Sequence, residues 1–228
     1  LQELLQRLGS IKVFDPACGS GNFLIIAYKE LRKLEMEILK QLQELEFKKT
    51  GQMFQAYTEI KLSQFYGIEL DDFAHEVAIL SLWLAEHQMN VEFKVEFGKA
   101  LPTLPLKHGG HVISANATRY NWEDVCPNDN DEVYVCGNTP YLGQRTHTQN
   151  HIDDMSVVFD GLNNFKNLDY ISWWFMKAAR YIKNKNRFSF VTTNSICQGS
   201  QVAMLWPHIF KYGLEIKFAY TPFKWKNN

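Results

Sequence analysis

Two short stretches carry residues whose types and spacing can do chemistry. The first is Asn138-Thr139-Pro140-Tyr141, which follows the apolar run VYVCG at 133–137. A side-chain amide, a prolyl turn and an aromatic ring in that order can hold a planar amino group. Taken alone, the four residues read equally well as a strand-ending turn with a surface tyrosine. The second stretch is FDPACGSGNFL at 14–24, which sets Gly19 and Gly21 between an apolar strand and a long helix. Glycines in such a turn let the chain reverse sharply and let a ligand approach with no Cβ in the way.

The ligand can be narrowed by exclusion. A dinucleotide fingerprint wants Gly or Ala at the third position of G-x-G-x-x-G and an acidic residue about 20 positions on. Here the third position is Leu24, and the acidic residue that closes the next strand is the more distant Glu69. A nucleoside ligand without a pyrophosphate fits better. The turn then receives an amino-acid tail, Glu69 accepts hydrogen bonds from two ribose hydroxyls, and Asp15 attracts an ammonium or sulfonium group. S-adenosylmethionine has that form. A plain glycine turn is the competing account of the G-x-G alone.

Regular elements must position these residues. A helix over 1–8 stops at Gly9, and a strand occupies 11–15. The spacing of Phe23, Leu24, Ala27, Leu31, Leu34, Ile38, Leu42 and Leu45 predicts a long helix from 22 to about 47. After a polar stretch at 48–63 comes a strand at 64–69. A helix follows, capped by Asp71 or Asp72 and striped by Val77, Leu80 and Leu84. A connector with Pro102 and Pro105 covers 90–110. Strands are expected at 111–115 and 132–137, and a long polar loop at 144–166. A helix at 170–182, a strand at 187–193, a helix at 202–212 and a strand at 214–220 complete the order. Strands alternating with helices predict an α/β fold with a doubly wound, mainly parallel sheet of Rossmann-like type, incomplete at its C-terminal end.

Composition bounds the rest. The 228 residues are 46% apolar and 21% charged, with a net charge of −1. That is ordinary for a globular domain and too little positive charge for a free-standing nucleic-acid binder, so much of any phosphate grip is expected elsewhere. Cys18, Cys126, Cys136 and Cys197 form no C-x-x-C pair, which argues for reduced thiols and against structural zinc. The cysteine pattern points to a reducing, cytoplasmic location, and no stretch reads as a signal peptide or membrane span. Residues 1–228 are read as one domain cut from a longer chain.

DPACGSGNFL, YGIELDDFAHEVA, GNTPYLG and TTNSICQG together resemble the amino-methyltransferase domain of adenine-specific DNA methyltransferases. The likeness is strongest to the MmeI-like group of restriction–modification enzymes, in which a methyltransferase is fused to a nuclease and a DNA-recognition domain. It runs from about residue 9 to the end and includes LWPHIF and FKWKN. It implies an S-adenosylmethionine site from Asp15, Ala17, Cys18, Gly19, Gly21 and Phe23, with Glu69 on the ribose and Leu70 beside the adenine. Asn116 is implied as a polar contact to the cofactor's adenine, or else as a turn residue. The implied substrate is double-stranded DNA with a flipped adenine, and the implied partners are the nuclease and recognition domains of the same parent chain.

The family pattern at the catalytic turn is Asp, Asn or Ser, then Pro-Pro, then an aromatic. By that pattern the Asn138 side-chain oxygen and the main-chain carbonyl of Thr139 accept the protons of the amino group, and Tyr141 stacks on the flipped base. Thr139 departs from the pattern. It keeps the carbonyl but lifts the constraint that a proline would place on φ. The turn is therefore expected to be slower than the family norm, tuned by its context, or inactive in a cofactor-binding scaffold. A protein glutamine methyltransferase, which shares such a turn, is the other enzyme reading.

Further candidates each have a plain alternative. Arg145 can reach a phosphate or be a surface arginine. Asn194 and Ser195 can face a base pocket or form a turn. Phe223 and Trp225 can partner the flipped base or pack on a missing segment. His147 and His151, ahead of Asp153 and Asp154, suit a metal only if they lie on a helix, and a loop is expected instead, so no metal is assigned. Tyr170, Trp173, Trp174 and Phe175 recur on a helix and are read as core.

Overall fold

Lys12, Val13, Phe14 and Asp15 form the strand on which the rest is hung. In a computed structural model of the chain, which describes residues 1–52, 55–98, 110–128, 131–159, 165–183 and 185–224, β1 (Lys12–Asp15) is the middle strand of a five-stranded sheet. The order is β3 (His111–Ser114), β2 (Phe65–Glu69), β1, β4 (Val133–Gly137), β5 (Arg187–Phe190). β1 pairs in parallel with β2 and β4, and β2 with β3. The α/β class and parallel sheet expected from the element order are present.

The chain divides into two compact units, Leu1–Gly137 with Lys183–Arg187, and Asn138–Ile182 with Phe188–Asn228. In the first, alternation along β1 sends Val13 and Phe14 to opposite faces. Val13 and its register partner Phe65 join an apolar core with α1 (Gln2–Ser10), α2 (Asn22–Thr50) and α3 (Asp72–Phe97). Phe14 meets Trp122 of the short α4 (Trp122–Val125) edge to face at 5.4 Å. Asp71 caps α3 by accepting the Ala74 amide at 2.7 Å, as its position predicted.

A buried ionic pair lies inside α2. Arg32 and Glu35 approach to 3.2 Å and both are almost fully buried. The Glu35 carboxylate also accepts the Thr58 hydroxyl at 2.7 Å and the amides of Glu59 at 2.6 Å and Ile60 at 3.2 Å. Arg32 donates to the Tyr28 hydroxyl at 2.6 Å and to Asn90 of α3 at 3.1 Å. The network therefore pins the run into β2 against the helix pair. Burial raises the Glu35 carboxyl above its usual range, against the hydrogen bonds that pull it down. Nothing in the spacing of the sequence announced it.

In the second unit, Phe175 of α6 (Ile171–Tyr181) stands among Phe188, Phe190 and Trp206 with centroids 5.5–5.9 Å away. The aromatic helix is core, as expected. Trp206 belongs to α7 (Gly199–Phe210) and donates its indole N–H to the Ile196 carbonyl at 2.9 Å.

Three expectations are corrected. The helix after Glu69 does not stop near 90 but runs to Phe97, because Met89 and Phe93 continue its four-residue spacing into the core. Pro102 and Pro105 lie outside the described residues. The polar loop at 144–166 contains a ten-residue helix, α5 (Gln149–Val158), started by a capping box in which Thr148 and His151 bond reciprocally. Residues 214–220 form no strand; apart from Leu214 they are exposed, and they have no ladder partner. A strand forms only where a neighbouring backbone takes up its hydrogen bonds.

Glu35→Ala is expected to cost about 3–5 kcal/mol in urea unfolding, since it leaves Arg32 buried and unpaired. Lys33→Ala, which removes an exposed pair with Glu30, is expected to stay within about 0.5 kcal/mol. Equal effects from the two would mean that the buried network has no structural weight.

Candidate active site

The glycine turn and the end of β2 are tied together by main-chain hydrogen bonds. The Cys18 amide donates to the Ile68 carbonyl at 3.1 Å, and the Gly21 amide to the Cys18 carbonyl at 2.8 Å. Gly21 has φ +84°, and a Cβ there would lie 3.3 Å from Ala78 of α3, so only glycine allows this helix approach. Gly19 has φ +54° and faces open space, with nothing within 4 Å of where its Cβ would stand. Its amide donates to Glu69 Oε2 at 2.7 Å, and the Asp71 amide donates to Glu69 Oε1 at 2.9 Å. A carboxylate has about four lone-pair sites. Glu69 is thus held in place by two amides and keeps acceptor capacity for a diol.

Asp15 closes β1 and is buried, with the Ala17 amide donating to Oδ1 at 3.0 Å. Burial pushes its carboxyl up to about 7, against the Ala17 hydrogen bond that pulls it down, with the nearby Glu69 charge adding to the rise. The same burial, with the Asp15 charge, pushes the Cys136 thiol up to about 12. The Cys18 thiol is also raised, so both stay protonated. Cys18 Sγ fills the space that a side chain on Gly67 would need, at 2.9 Å from its Cβ position. The cysteine therefore props the turn from below.

Gly137 ends β4 immediately before Asn138, and the structure gives it a role. A Cβ at 137 would meet the Asp15 carboxylate on every side: 3.0 Å from its carbon, 3.2 Å from one oxygen, and in collision with the other. β4 and β1 are adjacent, so the glycine that leads into Asn138 leaves room for the buried acid. A glycine next to the motif was the available signal; its partner was not visible without strand order.

The remaining candidates fall as follows. Phe23 is half-buried in the first turn of α2, and Leu70 is exposed just past Glu69. Asn116 forms a turn: its side-chain oxygen accepts the Thr118 amide at 2.9 Å and hydroxyl at 2.5 Å. That leaves its NH₂ as the group with capacity for a ligand. In the second unit, Thr139 is 0% exposed and its Oγ1 has no hydrogen-bond partner, whereas Asn138 and Pro140 are exposed and Tyr141 is 57% exposed. Arg145 and Asn194 are exposed in short 3₁₀ turns, and Phe223 is exposed outside any regular element. Trp225 lies outside the described residues. His147 bonds the Leu142 carbonyl at 3.3 Å, and the His151 ring nitrogen caps α5. Among the described residues no group of three or more metal-ligating side chains forms, and no helix is long and apolar enough to cross a membrane.

The family model described as MmeI, DNA-methyltransferase domain, matches residues 1–228. DNA methyltransferase A of Bacillus subtilis (strain 168) is 54% identical over 231 residues, a match that spans 100% of this chain and 26% of that protein. The type IIL restriction–modification enzyme MmeI, solved in complex with DNA, superposes with a TM-score of 0.90 at 38% identity, over 100% of this chain and 30% of that one. A nuclease-deletion mutant of the type ISP enzyme LlaGI, with a DNA substrate mimic, matches at TM-score 0.52 and 13% identity, over 89% of this chain and 17% of that one, and shares the fold alone. The chain thus spans between a quarter and a third of the length of its two nearer relatives.

Gly137→Ala is expected to destabilise the protein by about 1–3 kcal/mol through overpacking. Most of that loss should vanish when Asp15 is also replaced by Ala, and additive losses in the double variant would place the crowding elsewhere. Because folding raises the Asp15 carboxyl from 3.8 to about 7, the unfolded chain releases this proton first. Its ionisation therefore costs stability progressively as pH rises toward 7 and no further above. Between pH 5 and 8 the wild type should lose roughly 2–3 kcal/mol relative to Asp15→Asn in urea titrations. Parallel pH profiles would contradict this.

Proposed function

The chain belongs to the MmeI DNA-methyltransferase domain family, and from that premise we propose that it transfers a methyl group from S-adenosylmethionine to the exocyclic amino nitrogen of adenine in double-stranded DNA. It would do so as the modification core of a cytoplasmic restriction–modification protein whose nuclease and DNA-recognition domains lie elsewhere in the parent chain. The observation that carries the reading is the Gly19–Glu69 tie, a fixed carboxylate beside a glycine that faces open space. Asp15, Ala17, Cys18, Gly19, Gly21 and Phe23 build the turn that would hold the amino-acid tail. Glu69 would accept the ribose hydroxyls, and Leu70 and the Asn116 amide would bound the adenine of the cofactor. When bound, that cofactor supplies a methyl group made electrophilic by its sulfonium.

The chain's own part is to make a weak nucleophile adequate. The adenine amino nitrogen shares its lone pair with the ring. Asn138 Oδ1 and the Thr139 carbonyl, accepting hydrogen bonds from its two N–H groups out of plane, would localise that lone pair on the nitrogen. Pro140 restrains Thr139, and Tyr141, more than half exposed, offers a face for the extruded base. The work is positioning and fixed polarity rather than strong-base catalysis. Arg145 would meet a phosphate, and Asn194 and Phe223 would bound the target strand. The buried, unpartnered hydroxyl of Thr139 favours a second reading, a scaffold that binds cofactor with weakened turnover.

The test is the 6-methyladenine content of DNA from a host free of adenine methylation, expressing the full-length parent. Wild type should mark adenine, and Asn138→Ala should lower the mark by about 10²–10³-fold. Thr139→Pro should match or exceed wild type. A mark made only by the proline variant would favour the weakened scaffold. An unmarked genome with methyl groups on a protein glutamine would overturn the substrate in favour of an amide in protein.

A further inference from the structure

We propose that His147 is a positioning residue for methyl transfer: by holding the Leu142 carbonyl it fixes the chain one residue past Tyr141 and makes 142–147 a rigid arm between Tyr141 and Arg145. The inference rests on the methyl-transfer reading of the turn 138–141. His147 and His151 stand out in the sequence as a pair, yet no metal-ligating group of three forms among the described residues. Each ring instead holds main chain, His147 at the Leu142 carbonyl and His151 at the Thr148 amide.

The arm is closed twice. At its base, the Leu142 carbonyl lies 3.3 Å from His147 Nε2 and also accepts the Tyr170 amide at 3.0 Å. A carbonyl only accepts, so Nε2 carries the ring proton. In a neutral ring Nδ1 is then bare, and it is buried with no hydrogen-bond partner among the described residues. Only one end of the imidazole is used, and it is used on the backbone beside Tyr141. Inside the arm, the Gly143 carbonyl accepts the Thr146 amide at 2.9 Å and the Thr146 hydroxyl at 2.8 Å. Arg145 sits exposed in the 3₁₀ turn between them.

The anchor of the arm is firm. Tyr170 is buried, and its ring lies 6.3 Å from that of His147 and 5.0 Å from that of His151. Its hydroxyl donates to Asp154 of α5 at 3.3 Å, and the Trp173 indole of α6 donates to the Asp154 carbonyl at 2.8 Å. α5 and α6 are thus joined around one tyrosine, and His147 carries that rigidity to Leu142. Tyr141 is 57% exposed, so little packing of its own orients it. Its main-chain neighbours must do so, and a misplacement of about 1 Å can cost roughly 100-fold in rate.

The experiment compares wild type, His147→Leu and His147→Gln in the full-length parent. Leucine fills the space without a donor. The glutamine amide N–H can reach where Nε2–H stands, and the unpartnered Nδ1 leaves nothing else to replace. Hydrogen exchange in the peptide 141–147 should speed about tenfold or more in His147→Leu and return toward wild type in His147→Gln, with the thermal midpoint moving by less than about 4 °C in either. That readout is independent of the substrate. Single-turnover methyl transfer, on whichever amino or amide acceptor the wild type uses, should fall about tenfold or more in His147→Leu, with cofactor affinity unchanged, and recover in His147→Gln. A wild type that marks a protein amide and not adenine would correct the substrate proposed above, and the effect of His147 would be read on that acceptor. Unchanged exchange in His147→Leu would overturn the proposal. Faster exchange with an unchanged transfer rate would also overturn it, leaving a loop brace with no part in the reaction. Failure of His147→Gln to recover would assign the effect to ring packing and sink the hydrogen-bond account.

Discussion

The buried carboxyl of Asp15 is the constraint around which the first unit is arranged. An acid at the end of a central strand has no water to solvate its charge, so either the proton stays on or neighbouring donors must replace water. Here one amide, that of Ala17, does so, and the carboxyl is left poised near neutrality. Everything beside it conforms. Gly137 gives up its side chain, the Cys136 thiol is kept protonated, and Gly67 makes room for Cys18 under the turn. A site held this way gains when a positively charged group arrives, because the ligand supplies the counter-charge that the protein withholds. That is a physical reason for a strand-end acid in a fold whose ligands gather at the carboxyl edge of the sheet.

Glu69 is held differently. It stands half-buried at the end of β2 and is fixed by the Gly19 and Asp71 amides, one on each oxygen. Asp15 is fully buried, and it is burial that pushes its carboxyl up. Gly19 combines that bond to Glu69 with a positive φ, a backbone conformation that glycine adopts without strain.

The sequence disclosed these features unevenly, for physical reasons. Asp15, the glycine turn and Glu69 were legible because strand ends and glycine turns leave local signals. The sheet could be anticipated from the alternation of elements. α5 was not, since its ten residues carry little apolar spacing and its start depends on a Thr148–His151 box. The run 214–220, expected as a strand, forms none, because a strand needs a neighbouring backbone that local sequence does not reveal. The Gly137–Asp15 fit and the Arg32–Glu35 network join residues far apart in the chain, and only packing reveals them. The departure at Thr139 was visible at once, but its burial was not.

Thr139 also shows how burial reassigns the meaning of a substitution. Asn138 and Pro140 are exposed, and the side chain between them is buried. What the threonine adds is a hydroxyl with no partner, a cost of about 1–3 kcal/mol. What it leaves intact is the main chain, which would carry the acceptor in the proposed reaction. A change confined to the buried side of a turn acts on how firmly the exposed side is held, so its consequence belongs to rate and stability rather than to the kind of reaction.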